Sequence, residues 1–132
     1  MGISDIPILS MLRTRLEWHQ ARQKVLAENV ANADTVGFKP RDLTQPDLDR
    51  TAEPASSVAL ARTETTHIAG SNTPASPFRS ARAGNYEIRP TGNSVSLEDE
   101  MIKVAANQMD FQAASALYSH SLGLIKTALG KR

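Results

Sequence analysis

The run from Ser96 to Gly130, SLEDEMIKVAANQMDFQAASALYSHSLGLIKTALG, carries Leu97, Met101, Val104, Phe111, Tyr118, Leu122, Ile125 and Leu129 in steps of four and three, with Gln108 and Ser115 completing the series. That is the heptad seam of a long helix that packs against another helix. As one continuous helix it would be about 50 Å long, at roughly 1.5 Å per residue. Its ends are marked too. Ser96 suits an N-cap, and Glu98, Asp99 and Glu100 fill the first turn, where the helix dipole is positive. Gly130 follows the last apolar residue, with Lys126, Lys131 and Arg132 nearby. The three acids are consecutive, so they point in different directions; this suits dipole compensation and not paired acid–base work.

A second helix is expected between about Ser4 and Val30. Leu9, Leu12, Leu16, His19, Gln23, Leu26 and Val30 again step by three and four, and Pro7 fits a first turn. His19 and Gln23 interrupt this seam at mid-length. Polar residues there cost stability but can fix register and partner number. The two helices are expected to pair antiparallel. Arg22 and Lys24 would then lie toward Glu98 to Glu100, and Asp5 toward Lys126 and Lys131. Surface charge pairs are worth only about 0–1 kcal/mol each, so charge would select direction while the apolar seam supplies energy.

The apolar residues concentrate at the two ends of the 132-residue chain, and six aromatics (three Phe, two Tyr, one Trp) supply little area for a compact core. The composition therefore points to an elongated chain, or one that borrows burial from neighbours. A net charge of +1 with scattered basic residues gives no footprint for nucleic acid. The absence of cysteine excludes a disulfide framework and a thiolate metal site. No run is long enough to span a membrane. The first residues lack a cleavable signal pattern, because Arg13 and Arg15 follow an apolar patch that is too short.

Between the helices, LAENVANADTVGFKPRD (residues 26–42) reads as a helix stop with an anchored exit. Asn29 and Asn32 can bond free carbonyls at a helix end, Asp34 and Thr35 favour a turn, and Gly37 permits positive φ. Phe38 is then a lone apolar anchor, and Pro40 forbids an immediate return to helix. From about Leu43 to Ser94 the composition shifts to Ala, Thr, Ser, Pro and Arg. Repeated prolines leave room only for short strands, for example around Val58 to Ala61 or Tyr86 to Ile88, with residues 69–84 expected to be the most mobile.

Chemistry is thin. His19, His67 and His120 are far apart and lack zinc-site spacing. No GxSxG, P-loop, HExxH or Gly-rich nucleotide fingerprint occurs. No catalytic, metal or cofactor site is expected, and an enzyme is the weakest class.

The segment N-V-A-N-A-D-T-V-G-F-K-P-R-D, Asn29 to Asp42, resembles the N-terminal signature of the bacterial flagellar rod, hook and hook-associated proteins. A long C-terminal heptad helix opening on S-L-E-D-E-M fits the same plan. Within that family, the short length, the L-A-R-T segment (Leu60 to Thr63) followed by His67 and Ile68, and the P-T-G-N-S-V-S-L-E run (Pro90 to Glu98) are most similar to the proximal rod members, of which there are two sisters. Val36 stands where relatives often have Pro, and Phe38 where they often have Tyr; both changes keep an extended step and an aromatic anchor.

The resemblance implies a mainly α structural subunit: an N-terminal helix (residues 1–32), a signature turn with an irregular central segment (33–95), and a C-terminal helix (96–132), the two helices forming one rod-core domain as an antiparallel coiled-coil-like hairpin. It implies export without signal cleavage through the flagellar type III apparatus and assembly in the periplasm. Partners would be other copies of the chain, other rod proteins, and membrane-ring and rod-adaptor proteins at the base. No nucleic acid or small-molecule substrate is implied. The assembly turn would use Asn29, Ala31, Asn32, Asp34, Thr35, Gly37, Phe38 and Lys39. The helix seam would use Leu9, Leu12, Leu16, Leu26 and Val30 against the residues of the C-terminal seam. A soluble coiled-coil adaptor would share the seams but would need neither the turn nor an export route.

Overall fold

The computed structural model describes residues 6–46, 78–84 and 88–130. Two long helices dominate, α1 (Pro7–Ala31) and α2 (Leu97–Ala128), joined by a small antiparallel ladder of β1 (Arg41–Leu43) and β2 (Ser80–Arg82). Pro7 occupies the first turn of α1, where a missing N–H costs nothing. Ser96 Oγ accepts the Asp99 N–H at 3.4 Å to open α2. Gly130, at φ 70°, follows the end of α2.

The helices run antiparallel. Asn29 meets Glu100, Gln23 and His19 meet Asn107, and Arg13 lies against the Tyr118 hydroxyl, so descending positions on α1 face ascending positions on α2. After α1 the chain reverses at the Gly37 turn and β1 runs back along the helix. The Trp18 indole N–H donates to the Thr44 carbonyl at 2.8 Å, and Arg22 grips the Asp42 carboxylate with two bonds of 2.9 and 2.8 Å. The fully buried apolar set is small: Leu9, Trp18, Leu26, Leu43, Val95 and Ala114 among the described residues.

Three expectations need correction. Arg22 pairs with Asp42, not with the acidic start of α2, because the reversal at Gly37 brings Asp42 nearer; Lys24 is exposed, and Asp5 and Lys131 lie outside the described residues. Strand pairing occurs at residues 41–43 and 80–82, the second inside the stretch expected to be most mobile. The strand proposed at 58–61 and most of that at 86–88 lie outside the described residues. On α2 the contact face is rotated from the expected seam. Val104, Phe111, Tyr118, Leu122 and Ile125 are half-buried, but Leu97, Met101 and Leu129 are 45, 55 and 64 % exposed. The companions of Val104, Phe111 and Tyr118 lie three residues on, at Asn107, Ala114 and Ser121, and not four. The buried hydrogen bonds described next lie on this rotated face.

Candidate interaction surfaces

Two buried polar nodes join α1 to α2. At the first, the Asn107 amide donates to the His19 carbonyl at 3.0 Å and to Gln23 Oε1 at 2.9 Å. Both amide hydrogens are thereby committed, so Asn107 Oδ1 accepts, and His19 Nδ1, 2.8 Å away, carries the proton. The imidazole is further fixed edge-on against Trp18, with ring centres 4.9 Å apart. At the second node, Asn29 accepts the Arg41 N–H at 3.1 Å and donates to the Arg41 carbonyl at 2.7 Å and to Glu100 Oε2 at 2.9 Å. Lys103 Nζ holds the other Glu100 oxygen at 2.7 Å. One amide thus ties α1, β1 and α2 together.

The signature turn follows directly. Asn32 caps α1, its amide donating to the Glu28 carbonyl at 2.8 Å, while Thr35 Oγ1 donates back to Asn32 Oδ1 at 3.1 Å. The segment before α2 then clamps the turn. Asn93 donates to the carbonyls of Asn32 (3.0 Å) and Thr35 (2.7 Å) and accepts the Val95 N–H at 2.7 Å. The Gly37 N–H donates to the Thr91 carbonyl at 3.1 Å, and the Ser94 N–H to that of Phe38 at 3.2 Å. Gly37 has φ 71°, and Gly92, at φ 77°, faces it, a Cβ there meeting the Gly37 Cα at an ordinary contact distance of 3.5 Å. The held turn presents Asp34, Val36 and Lys39 outward, with Val36 75 % exposed; Ala31 is also exposed, and Phe38 is half-buried.

Away from α1, α2 exposes Ile102, Met109, Leu117 and Leu124. These lie at spacings of seven and eight, Ile102 and Met109 opposite Asn107 and Leu117 and Leu124 about a quarter-turn from it, with Ala105, Ala113 and Ala116 between them. Large apolar groups left in water along a helix mark a surface that meets another protein more often than an idle one.

A cleft of about 480 Å³ opens at the start of α2 between Arg89, Glu98 and Lys103. Its buried acid, Glu100, is already bonded to Asn29 and Lys103. Among the described residues no group of His, Cys, Asp or Glu is placed to hold a metal, and no helix is long and apolar enough to cross a membrane.

The Arg22–Asp42 pair predicts a pH dependence. Burial pushes the Asp42 carboxyl upward, but the bonds from Arg22 and from the Leu43 N–H outweigh this and leave it below its ordinary value. A depressed acid contributes stability that is complete above the unfolded value, near 4, and is lost as pH falls through the folded one. Both side chains keep a fifth to a quarter of their exposure, so the contribution is about 1 kcal/mol or less. Acid titration followed by circular dichroism should therefore show helix content falling below about pH 4, and Asp42→Asn should flatten that limb while lowering stability at neutral pH.

The expected turn residues and α1 seam residues are therefore brought onto one end and one face of the helix pair. Asn93, Glu100 and Asn107 escape sequence reasoning. The available signal was the pair of polar interruptions in α1, which require polar partners on α2.

Comparison with known proteins gives a consistent result. A family model described as flagella basal body rod protein matches residues 9–39. The chain is 35 % identical over 115 residues to the flagellar basal body rod protein FlgB of Escherichia coli, covering 79 % of this chain and 80 % of that protein. It is 30 % identical over 128 residues to FlgB of Agrobacterium fabrum, with 94 and 95 % coverage, and 27 % identical over 118 residues to FlgB of Bacillus subtilis, with 89 % of each chain covered.

Proposed function

The chain belongs to the flagellar basal body rod proteins, and from that premise we infer how its turn and its open helix face are used. It is a structural subunit of the basal-body rod, it assembles with other flagellar rod proteins, and it serves flagellum-dependent motility. The likeness to FlgB along most of the chain favours that branch over its sister, FlgC, and so a place in the proximal rod. The two helices act as one rod-core domain. The outward face of α2 packs on neighbouring subunits while the clamped turn, from Asn29 to Lys39, sets the contact at one end. The subunit has no catalytic role. It leaves the cytoplasm through the type III export apparatus without signal cleavage, and it joins the ring and rod-adaptor proteins in the periplasmic space.

The observation that carries this reading is the row Ile102, Met109, Leu117 and Leu124 left exposed on a helix whose other face is already paired. Deleting the chain's gene in its own host should abolish swimming and leave basal bodies without a rod, and the intact chain should restore both. A motile deletion strain would overturn the reading. In that strain, Gly37→Val tests the turn. A β-branched residue at φ 71° costs on the order of 1 kcal/mol or more, so motility and rod assembly should fail or weaken.

A soluble coiled-coil adaptor predicts a stable lone helix pair; a rod subunit predicts a weak one. Of the 32 residues of α2 only Glu100, Asn107 and Ala114 are fully buried. Backbone ordering costs about 1–2 kcal/mol per residue and must be offset by such burial. Amide exchange on purified monomer should therefore give protection below about a hundredfold along Met101 to Ile125. Strong protection in the absence of oligomers would favour the adaptor.

A further inference from the structure

We propose that the buried polar nodes, and not apolar area alone, select the face of α2 taken by α1. On α2 the apolar residues are spread around the helix, so no single stripe tells α1 where to dock. The face in use centres on Glu100 and Asn107, with Val104, Phe111 and Tyr118 half-buried beside them; other sides of the helix carry Ile102, Met109, Leu117 and Leu124 exposed, so apolar side chains are on offer there too. What differs is the hydrogen bonding. His19, Asn29 and Asn107 are each at least 98 % buried, and every bond that Asn107 makes reaches α1. Were α2 turned by half a revolution, His19 Nδ1 and Gln23 would face methionine and alanine, and the Glu100 carboxylate would lose Asn29. Each buried polar group stranded in this way disfavours the arrangement by roughly tenfold or more, so the turned pairing is disfavoured although apolar side chains would meet α1 there too. The polar residues therefore act as a face selector. They keep α1 off the Ile102 face, whatever that face goes on to meet.

The chain contains no cysteine, so engineered pairs report pairing cleanly. The register of His19 against Asn107 and Asn29 against Glu100 brings Leu16 level with Ala114 on the used face and with Ala116 on the opposite one. In the otherwise native full-length chain at low concentration, Leu16→Cys with Ala114→Cys should oxidise to an intramolecular disulfide at least about ten times faster than Leu16→Cys with Ala116→Cys. Adding His19→Leu, Glu100→Leu and Asn107→Leu removes the match but keeps apolar volume, and the two rates should then come within about threefold of each other. Returning His19 and Asn107 should restore the preference. Two results would overturn the proposal. A preference unchanged in the leucine variant would mean that the Asn93 clamp and apolar packing orient α2. Helix content lost in that variant would mean that the polar groups hold the pair together and do not merely choose its face.

Discussion

Asn29→Ala is expected to lower stability by about 3 kcal/mol, more than removing a side chain of that size from a surface helix end. Three bonds are lost at once. The Arg41 N–H and carbonyl forfeit their partner, and the Glu100 carboxylate, only 2 % exposed, keeps Lys103 alone. Backbone and carboxylate groups left unsatisfied in a buried setting carry their full desolvation cost, and no water of comparable geometry replaces the amide without a rearrangement of the helices. If the isolated subunit has stability of the same order, the variant should be largely unfolded. Far-UV circular dichroism at 10–25 °C should show this as lost helix, and retention of the native signal and melting midpoint would remove Asn29 from its place as the joint of α1, β1 and α2.

Asn93→Ala should have an effect of similar size, about 2–4 kcal/mol, at a different place. Asn93 is 1 % exposed and contributes nothing to the helix contact itself; it holds the carbonyls of Asn32 and Thr35 and positions the Val95 N–H just before α2 begins. Without it the turn loses its clamp and α2 loses its fixed point of entry. Amide exchange should quicken at Gly37 and Ser94, whose bonds span the clamp, and at Phe38, whose N–H donates to the Thr35 carbonyl that Asn93 holds, before it quickens in the middle of either helix. In the host the variant should fail to restore motility even where its level in the cell is normal. Uniform quickening along α1 and α2, with the turn unaffected relative to the helices, would show that Asn93 stabilises the pair and not the turn.

The number of helices and their ends are legible in the sequence because each depends on neighbours within a few residues; the antiparallel direction is as expected, but not through the charge pairs it was read from, since Arg22 turns to Asp42 and Lys24 is exposed. Ser96 caps the third amide after it, and Gly130 supplies the positive φ that ends α2. The face of α2 is not legible in this way. Heptad counting pairs Val104 and Phe111 with Gln108 and Ser115, whereas the helix pairs them with Asn107 and Ala114. The deciding bonds cross 88 residues for His19–Asn107 and 71 for Asn29–Glu100, so nothing local distinguishes a buried amide or carboxylate from a surface one. The strands escape for another reason: three residues each carry no periodicity, and their pairing is set by the return of the chain along α1. At the turn, Gly37 announces its backbone, but the clamp comes from Asn93, an ordinary loop residue until the Thr35 carbonyl is seen beside it.

The ladder between β1 and β2 has a consequence for how such a chain can change over time. Leu43 pairs with Ser80, and the Thr44 N–H reaches the Arg79 carbonyl at 3.0 Å, so the two ends of the intervening stretch are tied together beside α1. The described chain on either side of residues 47–77 is thereby held as a closed stem. Doubling the length of a flexible loop adds only about 0.6 kcal/mol to the entropy of closing it. Insertions there could lengthen the subunit, or give it a new outer body, while the bonds at Asn29, Asn93 and Asn107 kept the same partners. The ancestry of such chains should accordingly be written in their two ends, with the middle free to be replaced.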